Sequence, residues 1–202
     1  MRYGVMGGTF DPVHLGHLIS AEDAIQILGL TEFYFIPAFM PPHKGNIEIT
    51  PFEHRREMLK LATMDNPRLN VLEIERELGG ISYTVETLRK LRSLWGYESE
   101  IFFLLGADSF LELPTWREPA EISQLAKLVI IPRAGLSLEN AEAREVLSFL
   151  KEGSVIRMDS RVIQVSSAEI RKRIALGYPI TYMVPRQVEK YIKSNSLYRK
   201  GG

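Results

Sequence analysis

Three runs of this chain, FYFI at 33–36, IFFLL at 101–105 and LVII at 128–131, are apolar at every position. A strand with one face in water alternates apolar and polar residues, so a run without alternation is covered on both faces, as in a parallel sheet packed between helices. Strands are therefore expected at about 2–7, 32–37, 69–74, 100–105, 127–132 and 154–158. The stretches 14–29, 51–65, 84–95, 118–126, 139–151, 167–176 and 185–195 carry helical periodicity. Strands alternating with helices imply an α/β fold: a doubly wound parallel sheet, Rossmann-like, with its site at the carboxyl ends of the strands. At 202 residues, without a repeat or an evident linker, 1–202 is read as a single domain.

Some boundaries carry their own signals. In TPFE, Thr50 is expected as N-cap, Pro51 at the first helical position and Glu53 three residues on, a capping box. Gly29 and Gly177 stand where helices would end. Trp95 falls inside a helical pattern and is expected in the core.

Charge and cysteine content narrow the chemistry. Lys and Arg number 25 against 25 Asp and Glu, so no overall basic field argues for nucleic acid. The chain has no cysteine, which excludes disulfides, thiolate metal sites and a cysteine nucleophile. No apolar run approaches the length of a membrane span, and MRYGVMGG lacks a signal-peptide core, so a cytoplasmic protein is expected.

Of four histidines, His14 and His17 stand three residues apart behind Gly7 and Gly8, in GGTFDPVHLGH. Glycines after a first strand let backbone approach an anion, and the helix that follows points unpaired N–H groups and a positive dipole end at the loop. At i and i+3 the two imidazoles share a face, with Gly16 between them leaving a flat patch. Metal binding would need further ligands, and a purely structural turn leaves the clustering unexplained. Phosphate handling is favoured. At 166–173, Ser166 and Ser167 precede a basic helix, with Ser167 expected as N-cap and free N–H groups facing an anion. Asp108, just beyond a buried strand that ends at Gly106, can accept from ribose hydroxyls or cap a short helix.

The opening segment resembles the [GST]-[TS]-F-D-x-x-H-x-G-H signature of the nucleotidyltransferase superfamily. From residue 3 to about 195 the chain is similar to bacterial nicotinate-mononucleotide adenylyltransferases, through PPHK (41–44), HRREML (54–59), SYTVETL (82–88), LGADSF (105–110), LPTWRE (113–118), IPR (131–133) and SSAEIR (166–171). The resemblance implies transfer of AMP from ATP to nicotinate mononucleotide, with release of pyrophosphate, in the EC 2.7.7 class. It implies catalytic roles for His14, His17, Lys44 and Arg171, the last in a phosphate-binding element within about 160–202. Gly8, Thr9, Phe10, Gly16, Gly106, Asp108, Ile131, Arg133, Ser166 and Ser167 would hold ATP. Tyr83, Thr84 and Trp116 would take nicotinate mononucleotide, a tryptophan face suiting the cationic ring and a helix start its carboxylate. Ala168 stands where the family has Thr, and Glu86 where it usually has Asp.

Magnesium is expected as the companion of ATP, without a protein-held metal site. His43 is left unassigned, and His54 is assigned to a helix surface or a structural contact. The 38–50 loop has the Gly and Pro content of a lid, and monomer and homo-oligomer are equally open. Two rivals from other classes are a non-catalytic nucleotide-binding module and a nucleic-acid partner. A nearer rival is a sister adenylyltransferase for nicotinamide mononucleotide or another phosphorylated acceptor.

Overall fold

The computed structural model describes residues 1–41, 49–132 and 140–199. The unalternating runs become strands of one six-stranded parallel sheet: β1 (Arg2–Gly8), β2 (Glu32–Pro37), β3 (Leu69–Val71), β4 (Glu100–Gly106), β5 (Lys127–Ile131) and β6 (Val155–Arg157). Their order is β3-β2-β1-β4-β5-β6. The chain winds outward from β1 to β3, returns to the other side of β1 as β4, and winds outward again. β1 and β4 are thus neighbours whose connections leave in opposite directions, which opens a crevice beyond their carboxyl ends.

Side chains alternate between the two faces of the sheet, and both faces are apolar. Along β4, Phe102 and Leu104 join one core cluster, while Ile101, Phe103 and Leu105 join the other. The first cluster is completed by α1 (Leu15–Leu28), α2 (Phe52–Thr63), α8 (Ser167–Ala175) and α9 (Arg186–Ser194), through Ala24, Met58, Ile170 and Val188 among others. The second takes α3 (Ile74–Leu78), α4 (Thr84–Trp95), α5 (Ala107–Leu111), α6 (Pro119–Leu125) and α7 (Ala141–Ser148), through residues such as Ile74, Leu88, Phe110, Ile122 and Val146. This is the doubly wound α/β sheet expected from the apolar runs.

Several local expectations are corrected. The third strand ends at Val71 instead of 74, and the short helix α3 follows, too brief to show a period. Pro51, not Thr50, is the N-cap of α2, without a side-chain cap bond. Thr50 is committed elsewhere: its N–H donates to Asp11 Oδ2 at 3.2 Å and its carbonyl accepts from Arg55 Nε at 2.8 Å. Ser166, not Ser167, caps α8, accepting from the Glu169 N–H at 3.2 Å. Gly29 ends α1 in the left-handed region as expected. Trp95 is half-buried and lies against Tyr3, ring centroids 4.3 Å apart, at the edge of the second cluster.

The centre of the sheet leaves no slack at Gly4. A Cβ there would come within 2.3 Å of the Phe33 ring and 2.7 Å of Leu30 Cδ1. Both neighbours belong to the buried core. Gly4→Ala should therefore destabilise the fold by about 1–3 kcal/mol, the range for overpacking a filled core. Urea unfolding of variant and parent checks it; an unchanged midpoint would contradict this packing.

Candidate active site

A cleft of about 370 Å³ opens at the carboxyl ends of β1 and β4. Its walls include Gly8, Thr9, Phe10, His14, Gly16 and His17 from the first loop and helix, and Gly106 and Asp108 after β4. Ile131, Tyr83, Thr84 and Trp116 complete the expected residues on its surface. One cavity thus collects twelve of the positions read from sequence, drawn from five separate stretches of chain.

His14 is the N-cap of α1, and His17 is its third residue. Their rings stack with centroids 3.7 Å apart and planes 22° from parallel. The His14 N–H donates to His17 Nδ1 at 3.2 Å. With Nδ1 acting as acceptor, the neutral ring carries its proton on Nε2. The Phe10 ring meets His17 edge-on at 5.0 Å. A Cβ at Gly16 would lie 3.0 Å from the His14 ring, so Gly16 lets that imidazole lie flat against the helix start.

The loop before these histidines is gripped from behind. Arg55 Nη1 donates to the Thr9 carbonyl at 2.9 Å, Arg171 Nη1 to the Asp11 carbonyl at 2.6 Å, and Ser167 Oγ to the Pro12 carbonyl at 2.8 Å. None of these three side chains is among the residues that line the cleft. In a trans peptide the following N–H points opposite to the carbonyl. The N–H of Phe10 is therefore turned away from Arg55, and that of Val13 away from Ser167. Arg171, expected at the phosphates, donates to the Asp11 carbonyl, and Ser166 caps α8. Lys44, His43 and Arg133 lie outside the described residues, as does most of the 38–50 stretch. His54 makes the structural contact expected of it, Nδ1 lying 2.9 Å from the Tyr191 hydroxyl.

The far end of the cleft is built on Tyr83, the N-cap of α4, and Trp116, which meets Phe103 edge-on at 6.5 Å. Residues not anticipated from sequence gather here. Arg117 lies 5.0 Å over the Tyr83 ring and pairs with Glu118 at 3.3 Å. Glu86, where the family usually has Asp, accepts from Arg89 at 2.9 Å with Arg117 at 3.8 Å, and is not among the residues that line this cleft. Arg161, Ile163 and Val165 form another part of the wall, with Arg161 paired to Asp23 at 3.2 Å. Arg117 had a signal in its place beside Trp116; the 159–165 stretch, without periodicity, had none.

Glu75 is the least expected member. It lines the cleft although only 7% exposed, accepting from the Phe39 N–H at 3.3 Å and the Thr87 hydroxyl at 3.1 Å. Burial raises its pKa above the ordinary 4.5, against the pull of Ser82, Thr87, Phe39 and the Arg55 charge. Among the described residues no group of three or more His, Asp or Glu side chains could hold a metal ion, and no helix is long and apolar enough to cross a membrane.

Comparisons with known proteins agree with this architecture. The pattern of the "Cytidylyltransferase-like" family matches residues 5–173. A protein of Thermus thermophilus named "Probable nicotinate-nucleotide adenylyltransferase" is 42% identical, covering 98% of this chain and 100% of its own. One of the same name from a Thermoanaerobacter species is 37% identical, covering 99% and 95%. Among solved structures, a Plasmodium falciparum nicotinic acid mononucleotide adenylyltransferase complexed with NaAD superposes with a TM-score of 0.79 at 18% identity, covering 98% of this chain and 97% of that one.

The raised pKa of Glu75 has a consequence for stability. The folded protein retains this proton to higher pH than the unfolded chain does, so Glu75 costs nothing below the unfolded pKa near 4.5, and its cost grows as pH rises through the folded value. Glu75→Gln should therefore gain stability relative to the parent as pH is raised from about 4 to 7. Urea titrations across that range measure the difference; parallel curves for the two proteins would contradict the assignment.

Proposed function

The chain belongs to the cytidylyltransferase-like family, and on that premise we propose that it is a nicotinate-nucleotide adenylyltransferase, joining ATP and nicotinate mononucleotide into the deamido dinucleotide and releasing pyrophosphate. Full-length similarity to proteins of that name supports the activity. The observation that carries the residue-level reading is the stacked His14–His17 pair in a single cleft with Asp108, Tyr83, Thr84 and Trp116.

The reaction forms a bond from an oxygen of the mononucleotide phosphate to the α-phosphorus of ATP and breaks the bond from that phosphorus to the oxygen bridging to the β-phosphate. A phosphate monoester has its second pKa near about 6, so at neutral pH the attacking oxygen is already anionic and needs no general base. The protein's task is to bring two anions together and stabilise the charge in flight. His17, donating through Nε2, and His14 beside it take the α-phosphate in this reading, with the Phe10 N–H and the Thr9 hydroxyl. Asp108 accepts from ribose, and Gly106, Ile131 and Arg133 flank the adenosine. Lys44 adds a point charge over the phosphates.

Ser166 and Ser167 begin the helix that buttresses the loop. Arg171 acts first through the Asp11 carbonyl it holds. The nicotinate ring lies on Trp116, with its carboxylate at the N–H groups that open α4 at Tyr83 and Thr84. Mg²⁺ would arrive with ATP and offset the charge of its phosphates. The cytoplasm, where ATP is abundant, is the proposed setting.

Pyrophosphate release with ATP and a panel of mononucleotides tests the activity. The acid mononucleotide should exceed its amide in kcat/KM by about 10²-fold, because helix-start donors suit an anion; equal values would defeat the assignment of the ring carboxylate. In the same assay His17→Ala should lower kcat by about 10²–10³-fold, the loss typical of one donor to a developing anion. ATP affinity, measured by calorimetry, should change far less. Equal losses in both would make His17 a binding residue only.

A further inference from the structure

Asp11 lies beneath the phosphate-facing loop, 3% exposed, and each of its oxygens is engaged. Oδ2 accepts from the Thr50 N–H at 3.2 Å, and its carbonyl from Arg171 at 2.6 Å. Oδ1 accepts from the hydroxyl of Tyr198 at 2.6 Å, a residue 187 positions away near the end of the chain. Arg171 and Ser167 reach the loop from α8, Arg55 from α2 and Tyr198 from beyond α9, so the loop is held by three separate regions.

We infer that Tyr198 is a positioning residue of this active site: its hydroxyl, by holding the Asp11 carboxylate, fixes the loop whose next helix presents His14 and His17. Three observations support the assignment. The segment that delivers the hydroxyl is itself constrained, since Ser196 and Tyr198 both have positive φ, at 53° and 64°. Residues with a Cβ seldom adopt that region, and such strain persists where surrounding contacts over-determine it. Leu197 and Tyr198 pack on the first core cluster, and the Leu197 N–H donates to the Ile192 carbonyl at 3.1 Å, so the tail is docked by more than one contact. Burial and the adjacent Asp11 charge push the phenol pKa above its ordinary value, so the hydroxyl remains a proton donor at any working pH.

The connection to chemistry is short. Asp11 is three residues before His14, whose N–H sets the His17 ring through Nδ1. A loop released at Asp11 loses the fixed placement of both imidazoles, and small misplacements of positioned groups lower rate more than binding. The carboxylate itself points at Tyr198 and Thr50 and is absent from the cleft wall, so it acts through the loop.

Tyr198→Phe tests this, because it keeps the ring in the core and removes only the donor. The kinetic arm rests on the adenylyltransferase reading: kcat should fall by about ten- to a hundredfold, while KM for nicotinate mononucleotide, bound at the Trp116 end, stays within about twofold. Asp11→Asn should show a loss that does not add to that of Tyr198→Phe in the double variant. A second arm is independent of that reading: the imidazole nitrogen resonances of His14 and His17 in the ligand-free protein should shift or broaden in Tyr198→Phe, with those of His54 unchanged. Parent protein inactive on every mononucleotide would overturn the reaction but not this arm. Unmoved His14 and His17 resonances, an unchanged kcat, or a loss of kcat matched by loss of folded protein would overturn the role of Tyr198.

Discussion

The site depends on how the backbone between Thr9 and Pro12 is held. A loop facing a polyphosphate must keep its carbonyl oxygens away from the anion and its N–H groups toward it. Here three carbonyls are taken by Arg55, Arg171 and Ser167, all outside the cleft wall. Arg55 is 1% exposed and spends its other donors on the Thr50 and Phe39 carbonyls, at 2.8 and 3.5 Å. Desolvation lowers its pKa against the pull of Asp11, Tyr198 and Glu75. A cation buried in this way is tolerated because nearby acids and carbonyls satisfy it. It sets the loop's polarity without standing in the substrate's place.

The sheet supplies the rest of the geometry. Because β1 and β4 are adjacent but feed connections in opposite directions, the loops after them part and leave a cleft between them. Gly8 is level with Pro37 on one side, and Gly106 with Ile131 on the other, so the strand ends form an even floor. On this floor the histidine pair lies toward the first loop and Trp116 toward the second, at opposite parts of one cleft. Glu75 and Ser82 tie the β2 loop to the start of α4 through Phe39 and Met40, and so set the distance between the two ends.

How far this could be read from sequence follows from what sequence encodes. Burial on both faces leaves unbroken apolar runs, so the strands and their parallel arrangement were legible, and the long helices showed their period. α3, five residues long, has no room for a period: its first residue, Ile74, falls at the end of the expected strand and the rest lies in a stretch with no expected element. Thr50 has the chemistry of a cap, but its N–H and carbonyl are claimed by Asp11 and Arg55, a tertiary override that no local pattern reveals. For Arg171 the spacing pointed to a basic helix facing an anion, yet could not show that the guanidinium meets the Asp11 carbonyl in front of it. Arg55 sits in an amphipathic helix among charged neighbours, where an arginine reads as solvated. Glu75, Arg117 and Arg161 reach the cleft through contacts between distant segments, and only Arg117 carried a clue, as the neighbour of Trp116.

The spacing of Asp11's partners also constrains when the site can exist. They lie 39, 160 and 187 residues along the chain, at Thr50, Arg171 and Tyr198. The entropic cost of closing such loops grows only logarithmically with length, so the last contact adds little penalty over the second. Its timing differs, however, since a chain emerging from its N-terminus makes the histidine loop first and the tail that holds it last. β1 and its neighbours can pair before α8 and α9 dock, because β2 and β4 flank β1 without help from the C-terminal segment. Until that segment arrives, the Asp11 carboxylate and carbonyl lack two of their three donors and are left to water. The crevice therefore belongs to the sheet, whereas the order of the loop beside it depends on the segment that carries Arg171 and Tyr198.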